Sequence, residues 1–422
     1  MQRGERRSTL RWAALLTLTA VAGCATEDTA AAPGAQEGAM ATRVAHDGQE
    51  LFGHYMQPGP FPQPLPDDRH SHDGWTWGSV GAVFAESPDR IWIVQRGELP
   101  LMEGEDPWTN YSFLGRGNAP PTTDGMSATC QQTGNLRGYE RRWEHSIIVV
   151  NSEGALVDEW PQWEYLWGQQ PCGRGVHKVK ISPYDEEKHV WMVDDQLHMI
   201  YRFTYDGSAI DHQLGELGVR GRGPNTFDRP TDIAWLPDGT YFISDGYGGK
   251  RVAKYGPDDT FIMDWGQEPV DPANPGPNEF NTVHSIAISQ DRMLYVADRA
   301  HARIQVFDEN GNFQFMFPTG LRGESLPYAH EILTEPDGQE YIWVTDGGTD
   351  RILKYDLQGN YLYGFSTPGG DYGHLIGAHS LTTDQNGNLY TAEVFAGRVQ
   401  KWVPLPGADP SKLAGQQLRM WQ

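Results

Sequence analysis

The sequence predicts an all-β chain folded as a six-bladed β-propeller, and three observations carry that expectation. A block of strand-like runs restarts six times with a period of roughly 50 residues, the signature of blades or solenoid repeats. Within the clearest restarts, four β-prone runs are separated by Asp, Asn and Gly turns, which is the pattern of one antiparallel sheet. The composition agrees: 15 Trp, 18 Tyr, 49 Gly and 29 Pro suit many short strands and tight turns, not long helices. A linear solenoid of the same units is the alternative.

The chain opens on a targeting segment. Arg3, Arg6, Arg7 and Arg11 form a basic start, Trp12 to Ala20 an apolar core too short to be a lasting membrane span. Val21-Ala22-Gly23-Cys24 resembles the lipobox of bacterial lipoproteins. That resemblance implies a signal peptide over 1–23, a palmitate-bearing Cys24, and an exported protein held at the bacterial cell envelope by its lipid anchor alone. An ordinary cleaved signal is the other reading. Residues 24–45, rich in Ala, Thr and Gly, read as a flexible tether. Cys130 and Cys172 remain, and in an exported chain such a pair is a candidate disulfide.

The propeller is expected over 46–422. Its first unit opens at Trp77-Gly78-Ser79-Val80-Gly81 and continues through Ile91-Trp92-Ile93-Val94. Its outer strands are displaced to Ser146-Ile147-Ile148-Val149-Val150, which leaves an insertion at about 99–143. The second unit uses Val190-Trp191-Met192-Val193-Asp194 and Ile200-Tyr201-Arg202-Phe203, the third Tyr241-Phe242-Ile243-Ser244-Asp245 and Arg251-Val252-Ala253-Lys254-Tyr255. The fourth is cleanest, with His284 to Ile288, Met293 to Asp298, Arg303 to Phe307 and Phe313 to Phe317. The fifth runs through Trp343-Val344-Thr345-Asp346, the sixth through Leu389-Tyr390-Thr391-Ala392-Glu393.

Five units open on His177, Asp232, His284, His330 and His379. In a propeller the start of each inner strand lies near the central channel, so these positions are expected to converge. Three neutral imidazoles around an open position suit a catalytic zinc. One such histidine alone would more simply cap a strand or bond a neighbouring blade; four at one repeat position favour a metal.

The units resemble NHL repeats over about residues 75–403. A more specific resemblance lies in Pro230-Thr231-Asp232-Ile233-Ala234, Ser244-Asp245-Gly246-Tyr247 and Arg251-Val252, followed by Val283-His284-Ser285 and Val296-Ala297-Asp298-Arg299. These segments are similar to the lyase domain of peptidylglycine α-amidating enzymes. The resemblance implies zinc on His177, His284 and His379, a catalytic Tyr247, and substrate-binding Arg96 and Arg299. It implies cleavage of a peptidyl α-hydroxyglycine to a peptide amide and glyoxylate, with Tyr247 taking the hydroxyl proton and an arginine holding the carboxylate. Gly377 replaces a methionine of the family and Gly248 a cysteine. Ser380 stands where the family has an aspartate associated with structural calcium, so a calcium site is left open. His330 has no counterpart among the family's ligands and is a fourth pole of the channel or a structural residue.

The net charge of −23 argues against a nucleic-acid partner. A monomer acting on a small-molecule or peptide substrate is expected. The alternatives are a non-catalytic NHL propeller lipoprotein that binds a protein or glycan, and a metal-dependent hydrolase or lactonase.

Overall fold

A computed structural model of the chain describes residues 44–45, 49–50, 53–100, 142–167, 175–320 and 324–421. Cys24, Cys130, Cys172 and most of the expected insertion lie outside the described residues. Six antiparallel sheets follow one another along the sequence, and each inner strand packs against the inner strands of both neighbours, closing a six-bladed propeller.

The first blade consists of Val80–Ser87, Arg90–Gln95, Ile147–Val150 and Leu156–Glu159. Its third strand follows the long insertion, as the sequence indicated; at the insertion's neck Glu98 bridges to Arg142. The inner strands of the second to sixth blades are Lys178–Ile181, Pro230–Trp235, Val283–Ile288, Pro327–Thr334 and Ala378–Thr383. The second, third and fourth blades each finish four consecutive strands before the next begins.

The sixth blade is different. Its own residues supply three strands, and the fourth is Tyr55–Met56 from the start of the propeller, paired with Pro404 and Val403. The ring is therefore closed by backbone hydrogen bonds between the two ends of the domain. The C-terminal segment adds a second closure at the far ends of the inner strands. Arg419 donates to Ala85 O and Thr383 O, both at 2.6 Å, and Trp421 Nε1 donates to Ser182 O at 2.8 Å.

Side chains pack between blades. One apolar cluster fills each of the six interfaces, for example Trp191, Trp235, Tyr241 and Tyr255 between the second and third blades. The closing interface between sixth and first blades buries Val83, Ile93, Tyr390 and Val399. Each fully buried side chain of this size contributes about 1.5–3 kcal/mol, so every blade needs both neighbours.

Candidate metal centre

The inner strands start with the same irregularity. In five blades one residue is skipped in the pairing with the second strand, giving a β-bulge at Gly81, Thr231, His284, Tyr328 and His379. In the second blade His177 takes that place: its N–H donates to Val193 O at 2.7 Å, and Lys178 pairs with Val193. Around the ring the bulge position therefore reads Gly81, His177, Thr231, His284, Tyr328, His379.

This register corrects two expectations. Asp232 lies one residue beyond the bulge and His330 two residues beyond it, opposite Val344. The cause is the fifth-blade hairpin, which pairs two rungs further than that of the fourth. The dipeptides Pro230-Thr231 and Pro327-Tyr328 carry the true alignment in the sequence. His330 occupies a place filled by Val83, Val179, Ile233, Ile286 and Leu381 in the other blades. It is buried, bonds Tyr295 O through Nε2 at 2.9 Å, and is not part of the ligand group formed by the other three. Burial pushes its pKa down to about 4.

His177, His284 and His379 come from alternate blades and converge. Their ligand nitrogens all lie within 4.8 Å of one another, and their ring centroids are 4.6–4.9 Å apart. All three are buried. The intervening blades orient them. His177 Nδ1 donates to Thr231 O at 2.8 Å, His379 Nδ1 to Gly81 O at 2.7 Å, and His284 Nδ1 to Tyr328 O. A carbonyl oxygen only accepts, so each Nδ1 carries the proton and each Nε2 keeps its lone pair for a cation. Burial holds His284 and His379 well below the usual histidine range, with Arg299 adding to the effect on His284 and Arg96 to that on His379. Three neutral imidazoles fixed with lone pairs inward are a donor set that fits zinc. Gly81 has no side chain for a packing reason: a Cβ there would sit 2.1 Å from Val176 O.

Tyr247 lies over this set. Its hydroxyl is 2.9 Å from His284 Nε2 and 3.3 Å from His177 Nε2. The turn that carries it needs Gly246, where a Cβ would lie 1.5 Å from Val283 O in the next blade. Arg299 Nη1 donates to the same hydroxyl at 3.4 Å, and its guanidinium also lies 5.0 Å from the Tyr247 ring centre. Arg96 is buried beside this end of the channel, with Nη2 3.9 Å from Asp195 Oδ1. The six site residues named from the sequence thus gather at one end of the channel.

Two further residues belong there. Arg229 lies 4.2 Å from the Tyr247 ring centre and bonds Asp195 at 2.6 and 3.2 Å, so Asp195 sits between Arg96 and Arg229. Tyr328 supplies the carbonyl to His284 and sets its ring 5.4 Å from that imidazole, tilted by 32°. Neither breaks the repeat in a way that composition or spacing reveals.

Below the imidazoles the channel changes character. Lys178 is 3.5 Å and Lys180 3.1 Å from Asp232, and Lys180 is 3.4 Å from Glu331. Ser380, on the same level as Lys178 and Asp232, donates to Val83 O at 3.3 Å. Two ammonium groups offset two carboxylates here, and the residues present do not fit a calcium ion.

The chain is 27% identical over 325 residues to peptidyl-glycine alpha-amidating monooxygenase A of Xenopus laevis, which covers 71% of this chain and 31% of the frog protein. It is 26% identical over 303 residues to peptidyl-alpha-hydroxyglycine alpha-amidating lyase 1 of Drosophila melanogaster, covering 66% of this chain and 53% of that one. The chain is an NHL-like propeller that resembles the amidating-lyase domain. NHL repeat-containing protein 3 of Homo sapiens is 27% identical over 245 residues, covering 53% of this chain and 65% of its own length. In all three the match spans less than two thirds of the relative. No family model matches the chain.

Proposed function

We propose that this chain is a zinc-dependent lyase that cleaves a peptidyl α-hydroxyglycine-type substrate into an amide and glyoxylate. The observation that carries the reading is the Tyr247 hydroxyl, set 2.9 Å from His284 Nε2 above three inward-facing imidazoles. A carbinolamide collapses when its hydroxyl proton is removed: the C–O bond becomes a carbonyl, the C–N bond breaks, and the amide nitrogen takes a proton. His177, His284 and His379 would hold the zinc, which when bound supplies a Lewis acid that acidifies the hydroxyl. Tyr247, as its phenolate, is the group at hand to take the hydroxyl proton and return it to the leaving nitrogen, which regenerates the phenolate. Arg299, half-exposed beside Tyr247, offers a planar pair of donors to the substrate carboxylate. Arg96, fully buried against Asp195, holds positive charge at the same end without reaching solvent.

The amidating resemblance supports this substrate class, and the two lysines below the imidazoles set the floor of the site. Glyoxylate and amide released from an N-acyl-α-hydroxyglycine would be measured for wild type and Tyr247→Phe. Equal release of both products by wild type, with a rate drop in the variant, is expected. Absence of either product, or a variant as fast as wild type, would sink the reading. Export and lipid anchoring at Cys24 are part of the same proposal, tested by labelling with a radioactive palmitate in wild type and Cys24→Ala.

A further inference from the structure

A second group of metal-ligand type lies outside the channel, where the segment before the first blade meets the neck of the long insertion. Ligand atoms of Asp68, Glu144 and His145 all lie within 4.8 Å of one another. His145 is fully buried, and its Nε2 has no hydrogen-bond partner. Its other nitrogen places one proton. Nδ1 is 2.7 Å from Glu159 Oε2, an acceptor only, so Nδ1 carries the proton and donates it. Arg69 Nη2, at 3.2 Å from the same nitrogen, is the longer and weaker contact.

In the neutral ring the Nε2 lone pair faces Glu144 Oε1 at 3.8 Å, and that oxygen is also buried without a hydrogen bond. Arg69 Nε lies 3.4 Å from that oxygen without making a hydrogen bond to it, and two buried acceptors that face each other without hydrogen bonds cost free energy that a cation between them would relieve. Glu144 is otherwise held in position, since His70 Nδ1 bonds its Oε2 at 2.6 Å. The Glu159–His145 contact is the arrangement by which a carboxylate orients a metal-bound imidazole. Charge favours a cation as well. Asp68, Glu144, Glu159 and Glu164 face a single guanidinium, Arg69, which is 3.4, 3.3 and 2.7 Å from the last three.

We infer that Asp68, Glu144 and His145 form a second divalent-cation site, separate from the channel, that clips the segment around Asp68 to the entry of the first blade's third strand. One imidazole nitrogen with two carboxylate oxygens suits a borderline cation such as zinc; calcium prefers an all-oxygen set. The site stands next to catalytic scaffolding. Gln95 Nε2 donates to Glu144 O at 2.7 Å and His145 O at 3.1 Å, and Gln95 immediately precedes Arg96.

The test is zinc binding to the chelator-stripped full chain carrying His284→Ala and His379→Ala, so that the channel ligands are gone. One zinc per chain is expected, with binding weakened at least tenfold on adding Asp68→Asn, an exposed position whose change leaves folding intact. Zinc should also raise the melting temperature of the first variant and not of the second. No zinc bound in the channel variant, or binding and melting unchanged by Asp68→Asn, would overturn the site and identify the cluster as ion pairs around a doubly protonated His145. The channel proposal is untouched by either result.

Discussion

Two levels of one channel, a few ångströms apart, use histidine in opposite ways. At the upper level His177, His284 and His379 turn one nitrogen to a neighbouring blade's carbonyl and the other to the axis. At the lower level His330 turns its Nε2 to a carbonyl within the ring wall, beside a charge cluster of Lys178, Lys180, Asp232 and Glu331. The residue type and the strand are alike; the bulge decides. A residue on the bulge is released from the pairing and projects inward, whereas one two rungs later is locked into the alternation of the strand. Symmetry around the axis therefore selects three of the four histidines, and it does so through backbone geometry.

That contrast can be broken by substitution. The largest effect is expected from His284→Ala or His379→Ala, each of which should abolish zinc retention in the channel and glyoxylate release. His330→Leu, which restores the aliphatic residue of the other blades, should leave both unchanged. Loss of activity in His330→Leu, measured alongside its zinc content, would put His330 back among the functional residues. Next comes Tyr247→Phe, expected to keep the channel zinc and lower kcat on the order of 10²–10⁴-fold, the usual share of general acid–base catalysis. A smaller effect should follow Arg299→Ala. Losing a charge-assisted bond of about 1.5–3 kcal/mol should raise KM on the order of 10- to 100-fold with substrates that carry a carboxylate.

A last effect concerns stability and leaves catalysis untouched. His330 has its pKa lowered to about 4 in the fold against an ordinary value of 6.5. Between those values the unfolded chain binds the extra proton, so stability rises with pH there and is lost as pH falls from 6.5 towards 4. The total from this group is about 3 kcal/mol. Chemical denaturation across that window should show a shallower pH dependence in His330→Leu than in wild type.

Much of the fold was legible in the sequence because the blades repeat local signals: apolar runs, Asp-Gly-type turns and, in all but the first, an acid ending the second strand. The displaced third strand of the first blade was legible as well, since Ile147 to Val150 is an unmistakable β run. The ring closure was not, because Tyr55–Met56 is only two residues long and pairs with residues almost 350 positions away. Of the site, the histidines stood out by their place in the repeat, and the resemblance to the amidating lyases singled out three of them together with Tyr247. The equal ranking of His330 failed because the count ran from the histidine itself, and the longer fifth hairpin shifted it off the bulge. Arg229 was hidden for another reason. It precedes the third inner strand, and only folding stacks it on Tyr247 and pairs it with Asp195.

The most direct test of the central claim, that three imidazoles at the start of alternate inner strands hold the metal on which lyase chemistry depends, is glyoxylate release by chelator-stripped protein as zinc is titrated back. No activity is expected at zero zinc, with full recovery in wild type and no recovery at any zinc concentration in His379→Ala. Full activity in the stripped protein, or recovery in His379→Ala equal to wild type, would contradict it.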